Sequence, residues 1–125
     1  MEYILPVLQI DQYDDAVDFY VKGLGFEIVM EHRHEPGFPV FMIIKNGDLM
    51  LALSEHGRGH QGSEIYVYVD DIKAWHKKCK SSLSLDCNLE EMPWGNTELL
   101  ITDPSRNALR FSQVGTHKGV NTPNK

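Results

Sequence analysis

The sequence has little cysteine, no long hydrophobic run and no excess of basic charge, and each shortage removes a class of protein. Two cysteines in 125 residues, Cys79 and Cys87, do not frame a disulfide scaffold. The longest apolar runs, 40–44 and 49–53, have the length of strands, whereas a membrane-spanning helix needs about 20 apolar residues. Twelve basic residues against eighteen acidic ones leave a net charge of -6 and no basic stripe. That balance argues against a protein that tracks nucleic-acid phosphates. The first residues show no basic segment leading into an apolar core. The expectation is a cytoplasmic protein with reduced thiols and neither nucleic acid nor membrane as partner. A Cys79–Cys87 disulfide inside one helix-to-strand loop is the alternative. Acidity of this size either attracts cationic partners or serves solubility.

What the sequence does contain is enough apolar material for a core, 42% of residues, arranged twice over. A chain of this length buries roughly two-thirds of its unfolded surface without metal or disulfide support. Residues 4–10 read as a strand, and a helical pattern then runs to Gly23 and Gly25, with apolar positions Tyr13, Ala16, Val17, Tyr20 and Leu24. Residues 65–69 read as another strand, Asp70 and Asp71 as capping residues, and a second helix follows. Its inward positions are Ile72, Trp75, His76, Cys79 and Leu83, the same spacing displaced by 59 residues. His76 fits least well and reads as a half-buried packing residue. Three strands follow each helix: 26–34, 40–45 and 49–54 in the first half, then 88–92, 97–102 and 108–113 in the second. Pro36-Gly37, Asn46-Gly47-Asp48, Pro93-Trp94-Gly95 and Asp103-Pro104 supply turns. The reading is one domain over 1–114, with modules at about 3–54 and 63–113, a linker at 55–62, and a tail at 115–125 that lacks periodicity.

Four stretches, "YDDAVDFYVKGLGFEI", "GDLMLAL", "VDDIKAWHKKCK" and "PWGNTELLITDPSRNALRFSQ", resemble the glyoxalase/bleomycin-resistance/dioxygenase superfamily, also called vicinal oxygen chelate proteins. The resemblance spans about residues 4–113. The A-x-x-F-Y-x-x-x-L-G-F helix exit and the D-P-x-x-N-x-L-x-F closing strand carry most of it. It implies an α+β fold of two tandem βαβββ modules, each a curled mixed sheet around a concave face with its helix on the convex side. It also implies a homodimer. Metal-dependent members hold ligands at four equivalent points, and the motifs place these at Leu5, Ala52, Glu64 and Arg110. Leu5 and Ala52 have no donor atoms, Arg110 is a permanent cation, and one carboxylate does not make a transition-metal site. The resemblance therefore implies no metal and no cofactor here.

Strand alternation separates two faces without help from the family. Leu8, Ile10, Leu51, Leu53, Ile65, Val67, Leu109 and Phe111 make one face apolar, as helix packing requires. The opposite face carries Gln9, Ala52, Ser54, Glu64, Tyr66, Tyr68, Arg110 and Ser112, with Glu98 joining if it alternates with Leu99. This is either a ligand-binding wall or a plain solvated sheet face. A Glu64–Arg110 bridge across the module seam is expected. Trp94 is either a lid on the core or an aromatic wall of the cleft, and related proteins favour the second. Phe38 and Phe41 are candidates for an opposing aromatic plane. His32 and His34, at i and i+2 of a strand, either share an ion or mark a charged strand end. His56, His60 and His117 read as surface residues, and Cys79 as inert.

The leading expectation is a non-catalytic small-molecule binding protein like the bleomycin-resistance branch. It would sequester a small cationic or aromatic molecule in a cleft built from Gln9, Phe38, Phe41, Ala52, Glu64, Tyr66, Tyr68, Trp94, Glu98 and Arg110. No catalytic residue is assigned. The alternative is a lyase, isomerase or dioxygenase of the same superfamily with a non-standard or absent metal site; a ligand sensor is a third class.

Overall fold

The computed structural model describes residues 1–57 and 62–115 and shows two βαβββ modules. The first holds β1 (Val7–Gln9), α1 (Tyr13–Ala16) with a π-helical continuation (Val17–Gly23), β2 (Glu27–Arg33), β3 (Val40–Asn46) and β4 (Leu49–Ser54). The second holds β5 (Glu64–Tyr68), α2 (Ile72–Ser81), β6 (Glu90–Glu91), β7 (Thr97–Thr102) and β8 (Ala108–Gln113). Each module forms a four-stranded sheet, in the orders β1-β4-β3-β2 and β5-β8-β7-β6. The β1–β4 and β5–β8 pairs are parallel and the rest antiparallel. Registers repeat with the sequence: Val7 lies beside Ala52, and Tyr66 beside Arg110. The repeat in the sequence is therefore a repeat in space. His60 and His117, read as surface residues, and the tail from 116 onward lie outside the described residues.

Several boundaries differ from expectation for identifiable reasons. The first strand begins at Val7 rather than at residue 4, because Pro6 has no N–H to give a ladder; Ile4 is 90% exposed. The expected strand at 88–92 narrows to Glu90–Glu91 at the sheet edge, and His34 falls beyond the end of β2. After Ala16 the first helix widens, so that the Leu24 N–H donates to the Phe19 carbonyl five residues back. Phe19 and Tyr20 are both buried here, one inward position more than the sequence pattern gave. Gly25, at φ +85°, turns the chain out of the helix. A Cβ at Gly23 would collide with Leu83 of the second module. Asp71 caps α2 as expected, accepting from the Ala74 N–H at 3.3 Å. At α1 the side chain of Glu55 does this work instead, accepting from the Tyr13 N–H at 3.1 Å and the Val40 N–H at 2.9 Å.

The convex faces of both sheets share one apolar core. An aromatic file crosses from one module to the other: Phe19–Tyr20, Tyr20–Phe26, Phe26–Trp75 and Trp75–Phe111, with ring centroids 5.0, 6.3, 6.3 and 4.9 Å apart. Trp75 thus packs against the convex side, and Lys78 Nζ lies 4.5 Å above its ring. His76 is half-buried, its Nε2 donating to the Cys87 carbonyl at 2.9 Å. Both cysteines are buried and free. Burial pushes the Cys79 thiol up to about 12, which leaves it unreactive at neutral pH.

The D-P-x-x-N segment locks the modules together. Asp103 accepts from the Tyr20 hydroxyl at 2.7 Å, from the N–H groups of Ser105 and Asn107, both at 2.8 Å, and from Asn107 Nδ2 at 2.9 Å. Asn107 in turn donates to the Gln9 carbonyl at 2.8 Å and accepts from the Ser63 N–H at 2.9 Å. Burial, reinforced by the Asp103 charge and hydrogen bond, holds the Tyr20 phenol far above its ordinary value of 10.0. The folded chain keeps this proton where the unfolded chain releases it. The contribution is therefore full below pH 10 and is lost as pH rises further. Unfolding free energy should fall above pH 10 by about 1.4 kcal/mol per pH unit from this group. Cys79 adds a similar slope from about pH 9. Denaturant titrations from pH 8 to 11.5 should show a shallower alkaline decline for Tyr20→Phe, with the Cys79 part retained. An unchanged slope would remove Tyr20 as the cause.

Candidate functional site

The concave face of the second module gathers five of the expected site residues. Glu64, Tyr66 and Tyr68 alternate along β5, and β8 sets Arg110 beside Tyr66 and Ser112 beside Tyr68. Across the next pair, Glu98 lies opposite Ser112 and Leu100 opposite Arg110. The guanidinium of Arg110 joins the two carboxylates: Nε donates to Glu64 Oε2 at 2.8 Å, and Nη1 lies 3.5 Å from Glu98 Oε1. Glu98 is buried, with 2% of its side chain exposed, and also accepts from Ser112 Oγ at 3.0 Å and the Tyr66 hydroxyl at 3.4 Å. Asn96, buried behind this group, donates to Ser112 Oγ at 3.3 Å. Loss of solvation and then the Glu98 charge raise the Tyr66 phenol above its ordinary value. The Glu64 hydrogen bond likewise raises the Arg110 guanidinium. By formal charge, Glu64, Glu98 and Arg110 together leave one negative charge.

The Glu64–Arg110 bridge exists, but it corrects the expected placement: both residues belong to the second module, on adjacent strands, and no seam lies between them. Tyr66 and Tyr68 stack with centroids 5.7 Å apart and planes within 17°, and each is 47% exposed. Beside them a cavity of about 140 Å³ opens where the two sheets meet, lined by Pro6, Met50 and Phe26 from one module and Tyr66, Tyr68 and Phe111 from the other.

The remaining expected residues sit elsewhere. On the first module's sheet, Gln9 lies beside Ser54 and Phe41 opposite it, with His32 opposite Phe41. Ala52 belongs to the same face, but it is fully buried and offers no surface of its own to a ligand. Gln9 Oε1 is buried without a hydrogen-bond partner among the described residues. Phe38 is in the β2–β3 loop, its ring 5.7 Å from that of His34. His34 is therefore a loop residue and not a strand neighbour of His32. Trp94 is half-buried in the β6–β7 turn and makes no ring contact with Phe38 or Phe41 among the described residues. Sequence reading missed Asn96, Leu100 and Met50 on these walls; strand alternation carried the signal for Leu100 and Met50, while nothing local marked Asn96.

The donor set does not fit a metal of the superfamily type. Leu5 and Ala52 are hydrocarbon, Arg110 is cationic, and Glu64 already holds the guanidinium. No group of three or more His, Cys, Asp or Glu residues is placed to share an ion among the described residues. No helix among them is long and apolar enough to cross a membrane.

Tandem βαβββ modules with polar concave faces define the vicinal oxygen chelate class. The chain belongs to the glyoxalase superfamily, whose family model matches residues 1–117. A bleomycin resistance determinant encoded on the transposon Tn5 is similar at 26% identity and TM-score 0.73, over 91% of this chain and 98% of that one. A bleomycin-binding protein from Streptomyces verticillus complexed with copper(II)-bleomycin is similar at 26% identity and TM-score 0.69, over 92% and 98%. A lactoylglutathione lyase from Agrobacterium tumefaciens is similar at 26% identity and TM-score 0.68, over 90% and 94%. No curated protein matches the sequence. Binders and an enzyme thus resemble the chain equally, and the site has to decide between them.

Proposed function

We propose that this chain is a non-catalytic binding protein that sequesters a small cationic molecule bearing a flat aromatic portion, of the bleomycin type. The observation that carries this reading is the cluster at the superfamily's metal positions. Arg110 stands at one of those positions, next to exposed stacked tyrosines and a residual negative charge, and on the first module's sheet Ala52 offers no donor. A flat cation gains from ring faces and from carboxylates together. The bleomycin-binding similarities point the same way. The second reading, an enzyme of this superfamily working without the usual metal set, is favoured only by the lyase similarity.

The functional unit in this proposal is a homodimer. Val7, Met30, Tyr66, Tyr68 and Leu100 expose apolar surface on the concave faces, a liability that a second copy removes. The partner's first module would bring Phe38, Phe41 and Gln9 toward Trp94 and the Glu64–Arg110–Glu98 cluster, and one domain per chain would supply half of each cleft.

Metal-free bleomycin titrated into the protein should change Trp94 emission saturably, while Trp75, half-buried and stacked on Phe111 against the core, stays silent. Trp94→Ala should weaken binding by about 1–3 kcal/mol, the range for a lost stacking contact, and affinity should fall as salt screens the attraction. Sedimentation of the complex should give twice the chain mass. If calorimetry detects no binding by the wild-type protein, the sequestration reading is wrong.

A further inference from the structure

We propose that Arg110 is a tethered stand-in for the ligand's cation, and that binding moves its guanidinium off Glu64 while it stays on Glu98. This rests on the binding reading above and assigns a specificity-determining residue within it. The guanidinium carbon lies 5.8 Å from the centre of the Tyr66 ring, with Nε on Glu64 at 2.8 Å. A carboxylate and an aromatic ring bracketing a flat cation is the arrangement a cationic guest would seek, and the chain's own arginine occupies it.

The two halves of the clamp are unequal. The Glu64 side chain is 51% exposed and that of Glu98 is 2%. An exposed ion pair contributes little and exchanges readily with a competing ion. Abandoning a buried carboxylate leaves an uncompensated charge, which is far more costly. Arg110 therefore releases Glu64 first. The group it releases is a carboxylate on the open face, next to the stacked tyrosines, with the cluster still carrying one negative charge. That selects a guanidinium or ammonium joined to a flat ring system and disfavours an anion. Arg110 then sets a threshold: a cation that does not also gain from the tyrosine faces does not outcompete a tethered one.

Arg110→Lys tests this at constant charge. A lysine ammonium lacks the fork that reaches both carboxylates, so it follows buried Glu98 and frees Glu64. The probe is proflavine, a flat fluorescent monocation, titrated against wild type, Arg110→Lys, Glu64→Gln and the double variant. Arg110→Lys should bind about two- to fivefold tighter than wild type, the size of an exposed ion pair removed from competition. Glu64→Gln should bind more weakly, and in its background Arg110→Lys should gain nothing. In wild-type protein labelled with nitrogen-15, the Arg110 Nε–H resonance should shift on saturation with proflavine, a readout that needs no variant to fold. An unmoved resonance, or equal effects of Arg110→Lys with and without Glu64, overturns the exchange and leaves the proposed function standing. Absence of proflavine binding by the wild type and every variant overturns the exchange, and absence of bleomycin binding as well overturns both.

Discussion

Asp103→Ala is expected to destabilise the protein by about 4 kcal/mol or more, because it leaves several donors without an acceptor inside the core. The Tyr20 hydroxyl, the Ser105 and Asn107 N–H groups and Asn107 Nδ2 all converge on this one carboxylate. Asp103 and Asn107 are both buried, so water does not replace what is lost. The damage spreads, since Asn107 ties β1 through the Gln9 carbonyl to β5's approach through the Ser63 N–H. Both modules should lose stability together. Thermal unfolding followed by circular dichroism should stay a single transition at a much lower midpoint. Asp103→Asn, which still accepts at one oxygen, should lose distinctly less. If Asp103→Ala melts within a few degrees of wild type, the segment is not the clamp between modules.

Arg110→Met is expected to lose about 3 kcal/mol, at the low end for breaking a buried pair because the guanidinium is itself partly exposed. The loss comes from Glu98, not from Glu64. Glu98 would keep its hydrogen bonds from Ser112 and Tyr66, but its charge would have no counter-ion within the sheet. Removing that charge as well, in Arg110→Met/Glu98→Gln, should restore most of the stability, since a neutral amide tolerates burial when hydrogen-bonded. Glu64→Gln alone should change stability by less than about 1 kcal/mol, as expected for an exposed pair. Denaturant unfolding of the four proteins gives the comparison. A double variant no more stable than Arg110→Met would mean that Glu98 does not need its cation.

Much of the site was legible because strands alternate. Once β5 and β8 were read with a period of two, Glu64, Tyr66, Tyr68 and Arg110 had to share a face, and Glu98 followed from Leu99 being buried. Their partnerships were not legible. A sequence does not say that β5 and β8 lie side by side in parallel, and without that the bridge looked like a contact between modules. The reach of Trp94 was equally closed to sequence reading, since a residue in a turn has no alternation to orient it. Helix winding escaped for another reason: a pattern spaced for 3.6 residues per turn is satisfied by Tyr13, Ala16, Val17 and Tyr20 and gives no sign that the chain widens after Ala16.

By itself the sequence determined the two modules and the strand faces, because periodicity and turn residues are local properties. Only the tertiary structure decided that Asp103 and Asn107 bind the modules together, that one arginine spans an exposed and a buried carboxylate, and that two tyrosines stack on the open face. Those depend on which strands become neighbours and in what register, and that is settled by burying the apolar faces of the whole chain at once.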